Sequence, residues 1–129
     1  MTVGIVIVTH GQAGQALVEV AEFILAQPLE GILQIPFNQS ETHVTGEREL
    51  RALLQGIDQG DGILVLTDLV GASPANLLAG LLQEFTALMV TGINLAMLLR
   101  VWNYRDQTLP DLAAKAVEGG KRGIGVIKP

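Results

Sequence analysis

His10 and Asp68 are the residues of this sequence best placed to do chemistry. Each follows a run of apolar, largely β-branched residues: Val3 to Val8 before Thr9-His10-Gly11, and Ile63 to Thr67 before Asp68. Uninterrupted runs of this kind predict strands buried on both faces of a parallel sheet. In an open α/β sheet, ligands bind beyond the carboxyl ends of the strands, where the strand order reverses. With the common order 2-1-3-4 as the working assumption, the first and third strands are neighbours, and His10 and Asp68 flank one crevice. A carboxylate bonded to one imidazole nitrogen fixes the tautomer and leaves the other nitrogen a free lone pair, able to attack or to take a proton. It also stabilises a cationic or phosphorylated ring.

The target of that nitrogen is suggested by Gly71-Ala72-Ser73-Pro74, which leads into a third predicted helix. Free N–H groups and the helix dipole favour an anion there. Gly11 follows His10 and allows close approach of backbone. A nucleophilic histidine beside an anion hole points to a phosphoryl group carried on His10. No glycine-lysine loop of the Walker type is present, which argues against direct nucleotide binding. Each feature also has a purely structural account. A histidine after a strand is often only a polar loop residue, Asp68 can cap a turn, and Ser73-Pro74 starts a helix in any case. His43 reads as a surface residue of a polar loop, with Glu41 and Thr42 beside it. Metal binding by His10, His43 and Asp68 lacks any local ligand spacing, and nothing in the sequence calls for a metal or another cofactor.

The elements that must hold these residues alternate. After the first strand, Ala13, Ala16, Leu17, Val20, Ala21 and Ile24 recur at helical spacing up to Pro28. A strand follows at Ile32 to Phe37, then a polar loop at Asn38 to Thr45. Leu50, Leu53, Leu54 and Ile57 mark a second amphipathic helix, and Gly60-Asp61-Gly62 a turn. The third helix, opened by Ser73-Pro74, presents Leu77, Leu78, Leu81, Leu82 and Phe85 to the core. Ala87 to Thr91 is a fourth strand. Helices are predicted from about Asn94 to Tyr104 and from about Pro110 to Glu118, the latter stopped by Gly119-Gly120. Trp102 and Tyr104 are expected to pack the fourth helix or an interface. Ile124 to Ile127 is a final short strand that pairs at an edge or reaches a neighbouring subunit. The order βαβαβαβ-α-α-β predicts an α/β fold with a mainly parallel sheet and right-handed crossovers.

Composition narrows the function classes. A chain of 129 residues suggests one domain, 1–129. The absence of cysteine excludes disulfides, thiolate metal sites and a cysteine nucleophile. A net charge of −5 argues against a nucleic-acid-binding domain. Apolar residues make up 49% and charged ones only 16%, which hints at apolar surface covered by a partner. No apolar run approaches the ~20 residues of a membrane span, and no basic n-region precedes the first strand, so the expected location is the cytoplasm.

Three blocks carry a family resemblance. Gly4-Ile-Val-Ile-Val-Thr-His10-Gly11 resembles the opening of the mannose-class (mannose/fructose/sorbose) enzyme IIA of the bacterial phosphoenolpyruvate-dependent sugar phosphotransferase system. Thr67-Asp-Leu-Val-Gly-Ala-Ser-Pro-Ala-Asn76 and Val90-Thr-Gly-Ile-Asn-Leu-Ala-Met-Leu98 are similar to its second and third signatures, in the right order. The resemblance implies a phosphocarrier. His10 would accept phosphate from the phosphohistidine of HPr and pass it to a IIB component, with Asp68 orienting the ring. Gly11, Val70, Gly71, Ala72 and Ser73 would surround the phosphate. The implied fold is a three-layer α/β/α domain with a four-stranded parallel sheet and a fifth, antiparallel strand exchanged in a homodimer, a role that fits Ile124 to Ile127. The protein would be peripheral to a membrane permease at most, and would need a separate IIB partner. Val70-Gly71-Ala72 stands where the family usually has Phe-Gly-Gly, and Ala96 where proline is common. These departures touch details of the phosphate pocket and partner surface.

Two other readings remain open at this point. One is the phosphotransfer subunit of the dihydroxyacetone kinase system, which shares the fold and the N-terminal histidine. The other is a regulatory module in which phosphorylation of His10 switches docking by adding about −1.5 to −2 charges. A hydrolase with His10 as general base ranks last, since no serine, cysteine or metal nucleophile is evident.

Overall fold

The computed structural model describes residues 2–37, 43–68 and 73–129; for 43–45 and 73–77 only the backbone is considered. The elements are β1 (Gly4–His10), α1 (Ala13–Leu25), β2 (Leu33–Phe37), α2 (His43–Ile57), β3 (Ile63–Thr67), α3 (Ser73–Leu82), β4 (Ala87–Thr91), α4 (Leu95–Asn103) and α5 (Leu109–Arg122). All pairings are parallel and the strand order is β2-β1-β3-β4, as expected from the alternation of elements.

The two central strands are buried on both faces, which is why their sequences show no polar alternation. On one face Ile5 and Ile7 of β1 and Leu64 and Leu66 of β3 meet Val18 and Ala21 of α1, Leu98 and Val101 of α4, and Leu112 and Ala116 of α5. On the other, Val6, Val8, Ile63 and Val65 meet Leu50 and Leu54 of α2 and Leu78, Leu81 and Leu82 of α3. The result is a three-layer α/β/α sandwich. Leu78, Leu81 and Leu82 face the core as predicted, the Leu77 side chain lies outside those described, and Phe85 lies beyond the helix end and packs against it only in part.

Three expectations need correction, and of the two placements expected for Ile124 to Ile127 the single chain excludes one, pairing at its own sheet edge. The first strand does not break at Thr9: its ladder runs on to His10, which pairs with Phe37 of β2. His43 is not in a loop, because α2 begins there; the residues before it, 38–42, lie outside those described. The fifth helix does not stop at Gly119-Gly120 but continues to Arg122. Packing overrides the poor helix propensity of the two glycines. A Cβ on Gly119 would lie 2.5 Å from Arg100 Cβ, so α4 and α5 approach more closely than a larger residue at 119 permits, while one on Gly120 would lie 2.9 Å from the flexible end of Met97. Finally, Ile124 to Ile127 forms no strand within the single chain; Ile124, Val126 and Ile127 are exposed. A strand needs a partner ladder, and the chain's own sheet does not supply one to this segment.

Trp102 packs in the core, with the Arg105 guanidinium 4.0 Å above its ring. Tyr104 is more exposed and carries Lys115 at 4.5 Å. Among the described residues no helix is long and apolar enough to cross a membrane.

Candidate active site

The register of the central strands sets the site. Val8 is level with Thr67 across the β1–β3 ladder, so the next residues of each strand emerge together at the carboxyl edge. His10 ends β1 and Asp68 follows β3, at the point where the chain leaves β1 toward β2 on one side and β3 on the other. The sequence-based pairing of these two residues is therefore what the fold produces.

The contact between them is double. The His10 backbone N–H donates to Asp68 Oδ2 at 3.0 Å. His10 Nδ1 lies 3.1 Å from Oδ2 and 3.2 Å from Oδ1. An ionised carboxylate only accepts, so the neutral ring in this geometry carries its proton on Nδ1 and presents a lone pair at Nε2. The His10 side chain is 48% exposed and that of Asp68 28% exposed, so the ring is open to an incoming macromolecule while its orienting partner is more sheltered.

Local structure holds His10 from the other side as well. Gly11 has φ +53°, a left-handed conformation in which a side chain would be strained. Its N–H donates to the Phe37 carbonyl at 2.9 Å, so Gly11 turns the chain rather than offering a donor to an anion. Thr9 is buried, and its hydroxyl oxygen accepts from the Gly14 N–H at 2.8 Å, fixing the start of α1 immediately after the site. Sequence reasoning missed this role of Thr9. The available signal was a hydroxyl residue at the end of a buried strand, with glycine at the second helical position: a Cβ on Gly14 would lie 2.9 Å from Thr9 Oγ1.

Ser73 begins α3, as the Ser-Pro pair predicted. Val70, Gly71 and Ala72 lie outside the described residues. His43, at the start of α2, belongs to a different element, and among the described residues no three His, Cys, Asp or Glu side chains cluster as a metal site would require. The arrangement suits a nucleophilic or phosphate-carrying imidazole held in one tautomer.

Comparison with known proteins agrees with this geometry. Residues 4–117 match the family described as "PTS system fructose IIA component". The chain is 33% identical over 131 residues to the "PTS system mannose-specific EIIAB component" of Escherichia coli (strain K12), a match covering 99% of this chain and 40% of that protein, so the chain spans well under half the length of that relative. A solved structure of phosphotransferase system component EIIA from Streptococcus agalactiae superimposes with a TM-score of 0.81 at 29% identity, covering 97% of each chain. The mannose/sorbose-specific IIA subunit from Enterococcus faecalis gives a TM-score of 0.87 at 21% identity, over 100% of this chain and 97% of that one, and shows the same fold. The chain belongs to the mannose/fructose-class IIA family of the sugar phosphotransferase system.

Proposed function

We propose that this protein is a phosphocarrier that relays a phosphoryl group through His10. The observation that carries the reading is the double contact of Asp68 with the His10 backbone and Nδ1, which leaves Nε2 of a half-exposed ring as the attacking atom. In the first step the Nε2 lone pair attacks phosphorus in the phosphohistidine of HPr. The new N–P bond forms as the old one breaks, and the leaving imidazole keeps the bonding pair. In the second step a nucleophilic side chain of a IIB component attacks the same phosphorus, the Nε2–P bond breaks, and the His10 ring keeps the bonding pair. Docking aligns donor and acceptor in line, so catalysis consists of positioning and of stabilising charge on the equatorial oxygens. The N-terminus of α3, with Ser73 and the preceding Val70-Gly71-Ala72, is the expected seat for those oxygens, since the free N–H groups of a helix start favour an anion.

The protein works in the cytoplasm, as a homodimer. The exposed Ile124, Val126 and Ile127 support an arm that adds to the sheet of a second copy. Burying them would remove apolar side chains from water and complete an otherwise unpaired segment.

The test is intact mass after incubation with phosphoenolpyruvate, enzyme I and HPr, beside a His10→Ala variant. The expected result is an acid-labile gain of one phosphoryl group in the wild type and none in the variant. A wild type that stays unmodified while HPr is charged would overturn the reading. So would a variant that is labelled as well as the wild type.

A further inference from the structure

Hydrogen bonds link the third sequence block, Val90 to Leu98, both to the site and to the last helix. The Ile93 N–H donates to the Thr67 carbonyl at 3.0 Å, and Thr67, buried at the end of β3, is the residue before Asp68. The next residue, Asn94, uses both ends of its amide. Its Oδ1 accepts from the Met97 N–H at 2.9 Å and caps α4, while its Nδ2 donates to the Gly120 carbonyl of α5 at 3.0 Å. The absence of side chains at 119 and 123 lets α5 come close enough for that second bond: a Cβ on Gly119 would lie 2.5 Å from Arg100 Cβ, and one on Gly123 would lie 2.6 Å from Ala96 Cβ.

A helix cap needs only the acceptor, and serine serves as well as asparagine. The Nδ2 bond is additional, and it joins the C-terminal helix to the loop that grips the end of β3. Resting on the phosphocarrier reading above, we propose that Asn94 is a positioning residue for phosphoryl transfer. Its amide ties α5 to the Ile93–Thr67 contact and so holds Asp68 in the place from which it orients His10. Small misplacements at a transfer centre are costly: a 1 Å shift costs on the order of 10²-fold in rate. Loss of one tether, one residue after Ile93, is expected to cost less, about 10-fold.

The experiment compares wild type, Asn94→Ser and Asn94→Asp, each alone and with Asp68→Ala. Serine keeps a cap acceptor but has nothing to reach Gly120. Aspartate keeps the acceptor and turns a carboxylate oxygen toward the Gly120 carbonyl. Both variants are first checked for native circular dichroism and thermal unfolding. The expected result is transfer from phospho-HPr slowed about 10-fold in Asn94→Ser and at least as much in Asn94→Asp. In the Asp68→Ala background Asn94→Ser should add less than 2-fold, because the residue it acts through is gone. An equal fold loss in both backgrounds, or a wild-type rate in Asn94→Ser, overturns the proposal. The ¹⁵N resonances of the His10 ring supply a readout that does not depend on transfer. A shift of the tautomer ratio in Asn94→Ser supports the positioning role even where wild-type labelling fails and the phosphocarrier reading falls. An unchanged ratio together with an unlabelled wild type overturns both.

Discussion

Replacing Asp68 by alanine and by asparagine should separate the orienting role of the carboxylate from its charge. Asp68 Oδ2 accepts the His10 backbone N–H at 3.0 Å, and Oδ1 lies 3.2 Å from Nδ1. In Asp68→Ala both bonds are lost. A hydrogen bond to a charged group contributes ~1.5–3 kcal/mol. With His10 48% exposed, the lower end applies. At ~1.4 kcal/mol per factor of ten, the transfer rate from phospho-HPr should fall about 10-fold. Asparagine is isosteric and should do worse. The His10 backbone N–H requires the amide oxygen in the Oδ2 position, which places the NH₂ group where Oδ1 stood. That group, in the position 3.2 Å from Nδ1, competes as a donor with the amide oxygen 3.1 Å from the same nitrogen, and whenever it donates to Nδ1 the ring carries its proton on Nε2, the atom that must attack. Asp68→Asn is therefore expected to be slower than Asp68→Ala, because alanine leaves the tautomer free to adjust. The assay is quenched-flow mixing with preformed phospho-HPr, with the phosphorylated fraction read by intact mass. Asparagine as fast as alanine would refute the tautomer argument, and alanine as fast as wild type would refute any role of the carboxylate in transfer.

Other expectations concern the scaffold. Gly119→Ala drives a methyl into Arg100 Cβ, and overpacking of ~1–3 kcal/mol should exceed the ~1 kcal/mol gained in helix propensity, lowering Tm by a few degrees. Gly120→Ala meets only the flexible end of Met97 and should leave Tm unchanged or raise it; equal losses at the two positions in thermal scans would contradict the close-packing account. The hydrogen bond from Arg100, with Lys115 nearby, lowers the pKa of Glu118 below its ordinary value of 4.5. A carboxylate with a depressed folded pKa stabilises the fold above its unfolded pKa and loses that contribution as pH falls through the folded value. The urea midpoint of wild type should thus exceed that of Glu118→Gln at pH 6, with the gap narrowing as pH falls below 4.5; a gap that stays constant from pH 6 into the acid range would speak against it. Val126→Asp combined with Ile127→Asp should convert a dimer to a monomer in light scattering, and a dimer unchanged by both substitutions would remove the arm from the interface.

The sequence and the structure divide the explanation along physical lines. Ile63 to Thr67 was legible to the residue, since a strand buried on both faces is written as a continuous apolar run between turn residues, and Ala87 to Thr91, a half-exposed edge strand, was legible from its short apolar run ahead of Gly92. The His10–Asp68 pair was legible too, because each residue follows such a run and strand ends are where α/β sheets present chemistry. Less legible were features that depend on what lies across from them. The end of β1 was read short because Thr9 and His10 look like a polar break, while in the fold their backbones still pair with Pro36 and Phe37. Gly119-Gly120 reads as a stop by propensity, yet the helix runs through both glycines, and close approach of α4 leaves no room for a side chain at 119. Thr9 and Asn94 drew no functional reading, since a side chain that bonds to a backbone group on another element leaves no local pattern. What the sequence alone determined was the order of elements, the apolar faces and the two polar groups at the strand ends, all set by local composition and period. Only the tertiary structure decided the register that places Asp68 on His10 Nδ1, and with it which nitrogen faces away from the carboxylate, because that choice rests on contacts between residues 58 positions apart.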